Sequence, residues 1–148
     1  MGYWDTSALV KLYAEEPDSA TFEAQAVNAA VTSRIAIYEA YATFMRKEAE
    51  GLLQPGSAQM LYSELLQDVA TGELRLVELA ADVEQEYGKV LTFCYQQNPK
   101  IPLRTLDALH LASARVADET DLVATDKRMR DAGKRLGFSL FPTTLDNT

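Results

Sequence analysis

Cysteine is all but missing from this chain. Cys94 is the only one in 148 residues, so no internal disulfide can form. Its neighbours Phe93 and Tyr95 mark it as a buried apolar thiol rather than a reactive one. A reducing, cytoplasmic setting fits that usage. Positive charge is also scarce: 14 Lys and Arg stand against 22 Asp and Glu, a net charge of −8. This excludes a general nucleic-acid coat, which needs a basic footprint. It does not exclude a nuclease, because a site for divalent cations concentrates carboxylates and lets the ions face the phosphate. No apolar run is long enough to span a membrane. No basic-then-apolar leader opens the chain. Met1-Gly2 followed by Thr6 matches a myristoylation pattern by letter, but no polybasic patch follows to supply the second anchor that one acyl chain needs.

What is present suits one domain spanning residues 1–148. A chain of this length buries about two-thirds of its unfolded surface, so neither a disulfide nor a structural metal is required. Helical periodicity dominates. Helices are expected over residues 8–14, 19–28, 34–51, from Pro55-Gly56 to about Thr71, 81–97, 104–117 and 127–136. Short strands are expected after Met1-Gly2, at 30–32, at Leu74 to Leu79, at Leu122 to Thr125 and at Phe138 to Phe141. Short apolar strands alternating with helices imply an α/β fold with a largely parallel sheet covered on both faces. Such sheets place their sites just beyond the C-terminal ends of strands.

Two acids stand at such ends: Asp5 in "YWDTS" and Asp126 in "LVATD". Each could equally cap the helix that follows. Two more acids interrupt helix faces that should be mostly buried. Glu39 lies beside Tyr38 with Ile35 a turn before it. Asp107 breaks the stripe Leu103, Leu111, Ala114. A carboxylate so placed must be paired, hydrogen-bonded or metal-bound. Arg34 and Arg104 are the candidate partners for an ordinary ion pair. Taken together, the four acids could converge at one end of the sheet, where mutual repulsion would demand cations. Mg²⁺ or Mn²⁺ suits such an all-oxygen site and could activate water against a phosphodiester.

Four segments carry a resemblance. "DTSALVKLY" from Asp5, "TSRIAIYEA" to Glu39, "RTLDALHLASA" around Asp107 and "LVATDKRM" at Asp126 look like the signature segments of PIN-domain ribonucleases, the VapC-type toxins above all. The resemblance implies a three-layer sandwich with a central, mostly parallel sheet of four to five short strands. It implies an endoribonuclease dependent on Mg²⁺ or Mn²⁺, with Asp5, Glu39, Asp107 and Asp126 as the metal site. Ser7 and Thr125 would support it. A cognate antitoxin and a homodimer are the partners it implies, with RNA as substrate.

Other residues carry weaker signals. Lys127 and Arg128, next to Asp126, are candidate RNA contacts, while Lys134 and Arg135 read as a solvated helix end. His110 reads as a partly buried structural histidine rather than a general base. Tyr3 and Trp4 read as core. Leu52, Leu53, Met60, Leu61, Leu65 and Leu66 exceed what one helix face needs and could form a dimer or antitoxin surface. Two alternatives stay open. One is a catalytically silent domain of this fold that binds RNA or protein. The other is a haloacid-dehalogenase-like phosphatase with Asp5 as nucleophile, against which Ser7 stands where a second Asp is wanted.

Overall fold

The computed structural model describes residues 2–27 and 29–145. Met1 of the myristoylation pattern and Asn28, the expected end of the second helix, lie outside the described residues. The elements run β1 (Tyr3–Trp4), α1 (Thr6–Val10), α2 (Ser19–Gln25), β2 (Ala30–Ser33), α3 (Arg34–Ala49), α4 (Ser57–Thr71), β3 (Leu74–Val77), α5 (Ala81–Tyr95), α6 (Thr105–Val116), β4 (Asp121–Val123), α7 (Lys127–Arg135) and β5 (Ser139–Phe141). The expected helices and strands all appear, most with ends shifted by one or two residues. α1 begins at Thr6 rather than residue 8 because Asp5 caps it directly.

The five strands form one sheet in the order β3-β2-β1-β4-β5, every pair parallel. The chain builds outward from β1 to β3 in one direction, then crosses to β4 and builds outward in the other. The strand order therefore reverses between β1 and β4. A crevice opens at such a switch point, beyond the carboxyl ends of the two central strands. Asp5 follows β1 and Asp126 closely follows β4, so the topology alone brings these two acids to one place.

Strand alternation sorts the core into two layers. Tyr3, Val31 and Leu122 face one side, with residues of α5, α6 and α7. Trp4, Ala30 and Val123 face the other, with residues of α1, α2, α3 and α4. The register agrees: Tyr3 pairs with Leu122 and Trp4 with Val123. β1 is two residues long and holds its place through extra bonds. Asp5 N–H donates to the Val123 carbonyl at 3.0 Å, and the Thr32 hydroxyl donates to the Trp4 carbonyl at 2.6 Å. Tyr3 and Trp4 are buried, as expected, and so is the lone thiol of Cys94.

Helix ends follow their local chemistry. Ser33 caps α3 by accepting from the Ile35 N–H, and α4 is bracketed by Gly56 and Gly72, both left-handed at φ 88° and 83°. In the apolar set on and before α4, Leu65 is buried and Leu53 and Leu61 pack on the core, while Leu52, Met60 and Leu66 are exposed. Tyr38 and Met45, on α3, are exposed too. Among the described residues, no helix is long and apolar enough to cross a membrane.

Candidate active site

The crevice predicted by topology is a cleft of about 480 Å³ lined by Asp5, Thr6, Ser7, Glu39, Arg104, Thr105, Leu106, Asp107, His110, Asp126 and Met129. All four acids singled out in the sequence face it. They arrive from four different elements: the end of β1, the second turn of α3, the first turn of α6 and the start of α7.

Asp5 is both a helix cap and a site residue. It is buried, and its Oδ1 accepts from the Ala8 N–H at 3.0 Å and from the Ser7 hydroxyl at 2.8 Å. Oδ2 takes part in neither bond. Ser7 Oγ in turn accepts from the Thr125 hydroxyl at 2.9 Å and the Thr125 N–H at 3.3 Å. The supporting residues read from sequence thus form one chain, from Thr125 through Ser7 to Asp5, that ties the end of β4 to the end of β1. Burial pushes the Asp5 carboxyl up from its usual 3.8 to about 6, against His110 and the two hydrogen bonds, with Asp126 adding a smaller upward push.

Glu39 is held differently. Its Oε1 accepts from the Thr6 hydroxyl at 2.7 Å and lies 2.7 Å from His110 Nε2. On the far side of the ring, Nδ1 is 2.7 Å from the Tyr3 hydroxyl. Burial, with Asp5 next, drives the Tyr3 phenol well above its usual 10, so it keeps its proton. Burial works to raise Glu39, but His110 and Thr6 outweigh it and hold the carboxyl below its usual value. Arg34, the expected partner of Glu39, instead grips Glu78.

Asp107 is the least satisfied acid. Its Oδ2 is buried and accepts no hydrogen bond among the described residues. Arg104 Nε stands 3.6 Å from that oxygen, so the expected ion pair exists but is loose. Burial raises the Asp107 carboxyl, the charge of Asp126 adds to this, and Arg104 opposes it. Asp126 caps α7 through Oδ1, which accepts from the Met129 N–H at 3.0 Å, and turns Oδ2 toward Arg104 Nη2 at 3.9 Å.

Among the described residues, no three His, Cys, Asp or Glu side chains are gathered tightly enough to cage an ion as they stand. The donor chemistry nevertheless fits a hard dication: carboxylate oxygens only, one of them buried with no hydrogen bond.

Sequence reasoning missed two contributors. His110 is fully buried rather than partly, and it binds a site acid. Thr6 joins the same oxygen of Glu39. The signal for His110 was its position three residues after Asp107, which puts both on one face of α6. Lys127 and Arg128 are exposed on the first turn of α7, beside the cleft but not in its lining. Arg130, from the same basic run, is buried and donates to the Ala124 carbonyl at 2.9 Å.

Comparison with known proteins agrees with this fold. The PIN domain family model matches residues 3–135. Ribonuclease VapC46 of Mycobacterium tuberculosis is 32% identical over 142 residues, covering 93% of this chain and 94% of that protein. In fold, the chain is similar to Mycobacterium tuberculosis VapC20, a sarcin-ricin-loop-cleaving toxin, with TM-score 0.65 and 20% identity over 90% of this chain and 95% of that one. It is also similar to VapBC2 from Rickettsia felis bound to a promoter DNA fragment, with TM-score 0.62 and 19% identity over 95% of this chain and 97% of that one. A haloacid-dehalogenase-like phosphatase is thereby set aside. The chain belongs to the PIN-domain family and, within it, to the VapC-type proteins.

Proposed function

We propose that this protein is a metal-dependent endoribonuclease, the toxin of a toxin–antitoxin pair, acting in the cytoplasm. The observation that carries the reading is the meeting of Asp5, Glu39, Asp107 and Asp126 around one cleft at the sheet's switch point. The name of its relative, a ribonuclease, points the same way.

In this reading the four carboxylates hold Mg²⁺ or Mn²⁺. Such an ion lowers the pKa of a water and offsets charge on the attacked phosphodiester. The chain's own residues do the rest. Ser7 and the Ala8 N–H fix Asp5 through Oδ1 and leave Oδ2 out of both bonds. His110 and Thr6 fix Glu39 through Oε1. The Met129 N–H fixes Asp126 through Oδ1. Each of these acids spends one oxygen on orientation, the pattern that keeps ligands aligned before an ion arrives. Lys127 and Arg128, exposed next to Asp126, would be the nearest lysine and arginine of α7 for an RNA backbone leaving the cleft.

The exposed apolar residues of α3 and α4, Tyr38, Met45, Met60 and Leu66, supply the surface for a homodimer partner or a cognate antitoxin. Solved neighbours include a toxin–antitoxin complex from Klebsiella pneumoniae, TM-score 0.57, 15% identical over 85% of this chain and 87% of that one.

The test is to incubate antitoxin-free protein with total cellular RNA and Mg²⁺ and to map new 5′ ends. Specific ends should appear with the wild type and vanish with EDTA and with Asp5→Asn. Ends that persist in Asp5→Asn would overturn the assignment, and metal binding without any cleavage would favour a silent binding domain.

A further inference from the structure

Three arginines show three ways of using a guanidinium in this chain. Arg34 grips Glu78 at the surface through a fork, Nε at 3.0 Å and Nη2 at 2.6 Å. Arg130 is buried and bonded to a main-chain carbonyl. Arg104 does neither. It faces two carboxylates at 3.6 and 3.9 Å, outside the range of about 2.7–2.9 Å in which such pairs bond firmly. Its side chain is 65% exposed at the mouth of the cleft. The Asp107 oxygen it faces is buried and accepts no hydrogen bond among the described residues.

Arg104 therefore supplies charge without commitment. It offsets two acids that repel each other, yet a guanidinium so exposed and so loosely placed is cheap to move. A dication at the same oxygens would repel it. Its backbone is fixed as the N-cap of α6, whose 12 residues end here at their positive pole. From that position the side chain's free partner is an anion, and its planar fork matches phosphate.

We propose that Arg104 is a removable counter-ion: it shields Asp107 and Asp126 while no metal is bound, and on metal binding is released to grip the substrate phosphate. The inference rests on the metal-dependent reading above. It makes metal and RNA binding mutually reinforcing, since each favours the arrangement the other needs. Arg104 is then a substrate-contacting residue whose contact exists only in the metal-loaded site.

Two binding measurements test this without any turnover. Titrated with Mn²⁺ alone, Arg104→Gln should bind the ion roughly two- to fivefold more tightly than wild type, because a competing charge is gone. Arg104→Lys should stay close to wild type, since it keeps the charge. A labelled single-stranded RNA, checked intact on a gel, is then bound in EDTA and in Ca²⁺. Arg104→Gln should lose little affinity in EDTA and roughly tenfold in Ca²⁺, and Arg104→Lys, which cannot fork, should recover only part of that loss. Circular dichroism and melting confirm that the variants fold. Equal Mn²⁺ affinity in wild type and Arg104→Gln would overturn the counter-ion role alone. An RNA loss of the same size in EDTA and Ca²⁺ would overturn the exchange. Absence of divalent binding by wild type would overturn both this inference and the metal-dependent reading.

Discussion

Asp5 and Glu39 sit in hydrogen bonds of 3.0 Å or shorter, anchored by Ser7, the Ala8 N–H, Thr6 and His110. Across the cleft, Asp107 and Asp126 turn their Oδ2 atoms to an arginine no nearer than 3.6 Å. The half that holds Asp5 and Glu39 is the more rigid; across from it Asp126 is anchored through Oδ1 by the Met129 N–H at 3.0 Å, and Asp107 is only shielded. Burial has a cost here: Asp5 is the more deeply buried carboxylate, and its pKa is pushed to about 6 although its hydrogen bonds oppose the shift. Four variants break or sharpen that contrast.

Asp5→Asn should have the largest effect, because it removes a site oxygen from the rigid half while keeping the cap. RNA cleavage should fall by at least about a hundredfold, more than the loss typical of a residue that only supports a ligand. Stability should move the opposite way. The folded pKa of about 6 lies above the ordinary 3.8, so the burial penalty on the charged form is fully present above about pH 6. It fades as pH falls through 6 and is gone below about pH 4. In EDTA near pH 7.5, denaturant melts should show Asp5→Asn more stable than wild type, on the order of 2 kcal/mol. That gap should close by about pH 4. A variant less stable than wild type at both pH values would show that the rigid half carries no such penalty.

His110→Ala should come next. It strips Glu39 of its main partner and leaves Tyr3 and Glu39 facing a hole. Mn²⁺ affinity should drop roughly ten- to a hundredfold, with a lower melting temperature from the lost packing. Unchanged Mn²⁺ affinity would show that Thr6 alone can hold Glu39. Ser7→Ala should cost less: about 1 kcal/mol of stability from the broken Thr125–Ser7–Asp5 chain, and a smaller fall in cleavage than His110→Ala. If Ser7→Ala proves the more damaging in cleavage assays, the anchoring of Asp5 outweighs that of Glu39.

Lys127→Ala with Arg128→Ala should have the smallest effect. Both residues are exposed outside the cleft lining. Mn²⁺ affinity should not change, while the salt dependence of RNA binding should flatten by roughly 1.4 in log–log slope if both touch phosphate. An unchanged slope would leave them as a solvated helix face.

Much of this could be read from the chain alone. The strand–helix alternation gave the α/β class, and Trp4, Leu122 and Val123 took the core places their pattern required. Asp5 and Asp126 were legible because each follows a short apolar run, and the question of cap or site had a double answer. A carboxylate can spend one oxygen on a helix N-terminus and keep the other for the cleft. Arg104 beside Asp107 was also foreseen, since three residues along a helix is a local relation.

What stayed hidden was long-range. Arg34 paired with Glu78, 44 positions away, rather than with nearby Glu39, because β2 and β3 lie side by side and bring those two ends together. His110 met Glu39 and Tyr3, at separations of 71 and 107 residues. Local periodicity could place His110 on the face of α6 that carries Asp107, but it could not say what that face would meet. The sequence by itself determined which residues are acidic, which face inward and which end each short strand. Only the tertiary structure decided that the four acids meet at one cleft and how Glu39 is held, because the sheet order brings the acids together and sets Thr6 and His110 against Glu39 from distant parts of the chain.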